Sequence, residues 1–318
     1  MKKNQSGYQR VRKFSWKNIK KDFRQHKGDY LMVLPAFAFF IIFSYLPMYG
    51  ILIAFCNFKP KLGVFGSLSQ RFVGLKHFKD FVTSIYFGRT LKNTLALSLL
   101  SIAIEFPAAI IFALLLNEVK NKTFSKSVSL ITYMPHFISM VVLGGILVDF
   151  CRTDGVLGSV YTAVTGKTIN LLSLPNMWRP LYIGSDLWKE LGYSSILYIA
   201  AISGVDHELY EAAKIDGAGY FKQCIHVTIP GIASTIIVML IMRVGGLMAA
   251  GGEKTILLYN SQIYEKADVI SSYVYRRGLL EGNYSFSTAV GLMNSLVNLG
   301  MVLITNKIAK TYSEYSLF

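Results

Sequence analysis

Apolar residues in this chain fall into runs far longer than a soluble helix needs, and most charges lie between the runs. The first run, Tyr30 to Cys56, contains no charge. A helix rises about 1.5 Å per residue, so about 20 residues cross a bilayer core. Tyr30 to Cys56 is therefore long enough to span with tilt. It is too long for a signal-peptide core, and no small-residue cleavage site follows it. Five more runs are read the same way. They are Leu91–Asn117, interrupted by Glu105 and Pro107; Val128–Phe150; Leu181–Ser203, with Asp186, Lys189 and Glu190 in its first turns; Thr228–Ala250, broken only by Arg243; and Phe286–Ile308. The pattern predicts an all-α integral membrane protein with six transmembrane helices.

Composition agrees. Hydrophobic residues make up 53% and charged residues 16%, against about 25% charged in an ordinary soluble domain. This excludes a disordered chain, a soluble enzyme and a disulfide scaffold. Cys56, Cys151 and Cys224 have no metal-ligand spacing. The net charge of +15 would suggest nucleic acid in a soluble protein, but ten of the basic residues lie between Lys2 and Lys27. A basic tail before an apolar span reads as an anchor on anionic lipid, with no nucleic acid involved. Six spans put both termini on one side, and the tail makes that side cytoplasmic. Inner segments then carry 17 Lys and Arg against 13 outside, so orientation rests mainly on the tail. Three regions follow: a basic tail at 1–29, a membrane domain at 30–310, and a C-terminal tail at 311–318. The outer segments 57–90, 151–180 and 251–285 hold too much apolar surface for linkers and are expected to fold as short helices over the outer mouth.

The segment 204–227, between the fourth and fifth spans, is polar yet helical in pattern. Asp206 suits an N-cap, with Glu208 and Glu211 near the positive end of the helix dipole. Gly217 and Gly219 suit a helix stop. A second amphipathic piece, Tyr220 to His226, leads to Pro230, where a missing N–H costs little at a helix start. The pattern predicts two short helices joined at a glycine corner on the cytoplasmic face. An ordinary interfacial amphipathic helix would share part of it.

Read in full, EAAKIDGAGYFKQCIHVTIP resembles the EAA loop of ABC importer permeases: Glu211-Ala212-Ala213, Asp216-Gly217-Ala218, then Ile229-Pro230. Ile229 stands where Leu is usual. The DGA form resembles the MalF-like carbohydrate-uptake permeases. Segments such as YLMVLPAFAFFIIFSYLPMYG, NTLALSL and ADVISSYVYRRGLL resemble the LplB-like class, assigned to complex oligosaccharides. The likeness covers nearly the whole chain after residue 28. It implies a permease of the bacterial cell membrane that pairs with a second homologous permease, two cytoplasmic ATPase subunits and an extracellular solute-binding protein. It implies an oligosaccharide cargo, of plant or host glycan origin, and no cofactor. Glu211, Ala212, Ala213, Asp216, Gly217 and Pro230 would then form the coupling loop. The small alanines would allow close approach to an ATPase groove, and Gly217 would make the turn.

The chain itself offers no enzyme chemistry. Gly166-Lys167-Thr168 lacks the upstream glycine of a phosphate loop, since Tyr161 stands there. Metal ligand sets and hydrolase motifs are absent from the sequence. Polar residues inside spans mark a solute path by default. Ser287, Gly291, Asn294, Asn298 and Thr305 recur on one face of the sixth span. Their amides and hydroxyls suit sugar hydroxyls, and suit helix packing equally well. Glu105 and Arg243 could pair with each other, with the second permease or with an acidic sugar. Tyr193, Tyr198, Trp188 and Tyr45 could stack on sugar faces, or belong to interface belts. A gradient-driven secondary transporter and a permease for a non-sugar solute are the rival readings. The first predicts inverted repeats and buried carboxylates, of which only Glu105 qualifies.

Overall fold

Long apolar sequence with few capping residues folds as long helices, and the computed structural model of the protein, which describes residues 25–312, is built from them. The two tails read from the sequence, at 1–29 and 311–318, fall largely outside the described residues. The chain divides between Leu52 and Ile53 into two units. The first contains α1 (Lys27–Phe40), which continues through a wide π turn at Ile41–Tyr45 into 3₁₀ winding at Leu46–Phe55, whose last three residues belong to the second unit. Helix and winding together make one apolar rod of 29 residues.

The second unit begins with two short helices, α2 (Gly63–Gln70) and α3 (Lys76–Val82), and the long α4 (Phe87–Glu118). Then come α5 (Lys122–Tyr133), α6 (Met140–Cys151), α7 (Val156–Thr165) and the long α8 (Pro175–Ser203). Local chemistry sets their starts. The Asn121 side chain accepts from the Phe124 N–H and caps α5, and Ser139 does the same for Val142 and α6. Pro175 opens α8, where its absent N–H is no loss. The polar segment after α8 forms α9 (His207–Ile215) and α10 (Tyr220–Gln223), followed by α11 (Ala233–Gly245). Three short helices, α12 (Gly252–Leu258), α13 (Tyr264–Ala267) and α14 (Ile270–Tyr275), precede the long α15 (Tyr284–Tyr312). Among the described residues the one β-type pairing is an isolated bridge between Cys56 and Phe72.

Small residues decide where the long helices meet. Ala109 and Ala113 of α4 are buried with Tyr198 and Ile202 of α8 and with Ile232. Gly192 of α8 lies against α5 so closely that a Cβ there would stand 2.4 Å from the Thr132 carbonyl oxygen. Lipid tails supply no hydrophobic drive between helices, so such close backbone approach is what holds them. A second core joins α15 to the segments 57–90 and 251–285 through Phe81, Tyr273, Phe286 and Val290. A third packs Trp178 with Leu143, Leu147 and Leu171. The segments 151–180 and 251–285 are thus short helices on apolar cores, as their composition predicted.

The spans differ in detail from their hydropathy. Three helices are long and apolar enough to cross a membrane: Lys27–Phe55, α4 and α15. Two bent pairs raise the number to five if each pair is one span. The stretch read as a third span, Val128–Phe150, breaks at Met134–Ser139 with a 97° bend. The stretch read as a fifth, Thr228–Ala250, bends by 65° at Ile232 and unwinds again after Gly245. The fourth, Leu181–Ser203, lies within α8, which is 29 residues long but carries three charges between Asp186 and Ser203.

Candidate functional site

Glu105 on α4 and Arg243 on α11 meet as an ion pair, one of the partnerships the sequence left open. The pair is asymmetric. The Glu105 side chain is 8% exposed and that of Arg243 is 42% exposed. Two cavities flank it, of about 330 and about 300 Å³, and both include Glu105 and Arg243 in their walls. The first is walled by apolar and aromatic groups that include Tyr193 and Tyr198. The second is more polar, with Ser98, Ser101, Tyr182 and Asp186.

Further charges beside the cavities went unnoticed as site residues in the sequence. Lys254 of α12 is almost fully buried; its Nζ donates to Asp186 Oδ1 at 2.9 Å and to the Tyr182 carbonyl at 2.6 Å. It also lies 4.1 Å from the centre of the Tyr182 ring. Lys189 Nζ donates to Glu190 at 2.8 Å, and His136 Nδ1 lies 2.8 Å from the other Glu190 oxygen. The His136 ring stacks on Tyr193 at 3.7 Å, nearly parallel. One sequence signal was available: Tyr182, Asp186, Glu190 and Tyr193 recur at helical spacing and share a face of α8. Trp188 does not line either cavity.

The polar stripe of the sixth run turns inward but lies apart from these cavities. Between α11 and α12 the backbone unwinds at Leu247–Ala249. Asn298 Oδ1 accepts from the Met248 N–H at 3.0 Å, and Asn294 Nδ2 donates to the Met248 carbonyl at 3.0 Å. The Ser98 hydroxyl contacts the Leu247 carbonyl, and Ser271 donates to Ala250 at 3.3 Å. Irregular backbone at membrane depth needs such partners. Ser287 donates to the Val274 carbonyl at 3.0 Å and packs on Gly278. Nearby in sequence, the buried Asp268 accepts from Arg89 and Arg276, both at 2.9 Å, and ties the segment 251–285 to α4. Burial raises the Tyr259 phenol above its ordinary range, so it stays neutral where Arg276 donates to it.

The segment 204–227 forms the two short helices its sequence predicted. Asp206 caps α9 by accepting from the Glu208 N–H at 3.0 Å. Gly217 ends it at φ 73°, in the left-handed region that costs a side-chain-bearing residue about 1–2 kcal/mol. The Ala218 N–H then reaches back to the Ala213 carbonyl at 2.9 Å and the Gly217 N–H to Lys214 at 3.0 Å, closing a Schellman end. The Gln223 side chain braces the corner by donating to the Ala218 carbonyl at 2.7 Å. Tyr210 pairs with Thr228 at 3.0 Å, fixing α9 to the helix that holds Pro230. Glu211, Ala212 and Asp216 are exposed, and Ala213 is half-buried. Beside them, Ile215 is 87% and Phe221 78% exposed, with Leu209 and Tyr220 also uncovered.

Residues 105–262, which hold the ion pair and the loop, match the family model described as binding-protein-dependent transport system inner membrane component. The chain is 43% identical over 295 residues to the polygalacturonan/rhamnogalacturonan transport system permease protein YteP of Bacillus subtilis (strain 168), covering 92% of this chain and 91% of that one. It is 42% identical to the protein LplB of the same organism, covering 93% and 92%. Its fold is similar to a chain of the bacterial alginate ABC transporter solved in complex with an alginate pentasaccharide-bound periplasmic protein, with a TM-score of 0.84 and 39% identity over 95% of this chain and 99% of that chain.

Proposed function

The chain belongs to the binding-protein-dependent transport system inner membrane components, and from that premise we propose that it carries an oligosaccharide across the cell membrane within an ATP-driven importer. In this reading it spans the membrane six times with both termini cytoplasmic, α8 and the two bent pairs supplying the spans that apolar length alone does not. It works with a second permease, two cytoplasmic ATPases and an extracellular solute-binding protein, and has no ATPase chemistry of its own.

The observation that carries the proposal is the loop's position. The glycine-cornered pair α9 and α10 joins α8 to α11 through the winding at Cys224–Gly231. Those two helices hold Asp186, Tyr193 and Tyr198 on one wall of the cavities and Arg243 on another. A push on the loop is therefore a push on the cleft, transmitted by rigid helices. The uncovered Leu209, Ile215 and Phe221 give an ATPase an apolar surface to grip, around the close-approach positions Ala212 and Ala213. Glu211 and Asp216 add carboxylates for basic groups on that partner. Glu105, Arg243, Tyr193 and Tyr198 line the path. Asn294 and Asn298 shape it from behind by fixing the backbone at Met248 that frames it, and Ser287 pins the Val274 carbonyl farther along the same helix face.

Gly217→Pro tests the coupling. Proline fixes φ near −65°, against 73° here, and no atom lies within 4 Å of the added Cβ. The expected result is an assembled complex that hydrolyses ATP with oligosaccharide uptake reduced at least tenfold. Normal uptake would remove the loop from the mechanism.

A further inference from the structure

We propose that Arg243 selects cargo by charge, binding a carboxylate of an acidic oligosaccharide at the boundary between the two cavities. This rests on the oligosaccharide reading above and names the kind of sugar and the residue that reads it.

Arg243 is the one cation in the walls of both cavities. Neighbouring cations are already committed. Lys254 is 2% exposed and held by Asp186 and a carbonyl, and Lys189 is held by Glu190. Both members of the central pair lie in the walls of both cavities, but the cation is much the more exposed, so a solute in either cavity meets the guanidinium. Glu105 engages Nη2, and no other hydrogen bond of this guanidinium is formed among the described residues. A guanidinium has five donors in a planar fork. It therefore keeps a free edge that matches a carboxylate with two parallel N–H···O contacts. At membrane depth such contacts are stronger than in water.

Glu105, Arg243, Asp186 and Lys254 sum to zero charge. A bound carboxylate is therefore held by the geometry of the guanidinium fork, not by a net positive field. Alginate and polygalacturonan, the polymers named for two similar proteins, are both built of uronic acids.

The test uses the assembled permease–ATPase complex without binding protein, so that selection is read at the membrane subunits. Tetragalacturonate and its methyl ester share a backbone and differ in charge. The wild-type complex should bind the acid at least tenfold more tightly than the ester. The double variant Glu105→Gln/Arg243→Gln, which replaces the ion pair by two amides, should bring that ratio to about one. Should the double variant fail to assemble, Arg243→Lys keeps the charge but loses the fork, and the ratio should fall to a few-fold. An unchanged ratio in either variant overturns the proposal. So does a wild-type complex that binds the ester, or neutral maltotetraose, as tightly as the acid; the oligosaccharide reading then survives. Failure of every oligosaccharide to bind or to stimulate ATP hydrolysis removes the oligosaccharide reading itself, and this proposal with it.

Discussion

Two glycines on α8 show how much one methyl group decides. Gly192 faces the Thr132 carbonyl, where a Cβ would stand at 2.4 Å; Gly184, two turns earlier, has nothing within 4 Å. Gly192→Ala must push α5 off α8 and is expected to cost about 1–3 kcal/mol, whereas Gly184→Ala gains helix propensity at no steric cost. Thermal unfolding of the two variants in the assembled complex checks this: Gly192→Ala lowers the midpoint, Gly184→Ala leaves it level or raises it. Asn298 is a second case. Asn298→Leu leaves the Met248 N–H without its acceptor, a loss of about 1–3 kcal/mol, read in the same assay. Residue type made Asn298 legible as a polar residue in a span. It did not say whether the amide would meet a sugar or a backbone, because the unwound turn that needs it lies 50 residues away. The same distance problem hid Lys254. Its partner Asp186 is 68 residues earlier, and the sequence showed only two charges in two different segments.

At the level of elements, uncapped apolar length was the readable signal. The runs at Tyr30, Leu91 and Phe286 became the three long helices that meet the requirements of a span. The breaks were not readable that way. Hydropathy averages over about 19 residues, and Pro135, Ser139 and Gly246 each redirect the backbone within one turn. The loop 204–227 was legible because its signals are local: an aspartate cap, a glycine in the left-handed region, and a proline at a helix start. Gly217→Ala keeps the chain direction but strains that corner. It should lower local protection by about 1–2 kcal/mol, seen as faster amide exchange at residues 213–218 with no change in α4.

Across the whole molecule, orientation is the property most exposed to test. Basic residues divide weakly between the proposed inner and outer segments once the tail is set aside, so the charge rule alone gives little support. Glu211 and Val164 are both exposed and are proposed to lie on opposite sides. In a background with Cys224→Ser, the remaining Cys56 and Cys151 are buried. A membrane-impermeant maleimide added to intact cells should label Val164→Cys at once and Glu211→Cys only after permeabilisation; the reverse order inverts the topology. The clamp that Asn294 and Asn298 place on Met248 carries a consequence for ancestry. The two asparagines set the contour of a cavity they do not touch. A lineage that changed its diet could therefore retune this permease through substitutions hidden from the sugar, and descendants with identical wall residues would differ in what they accept.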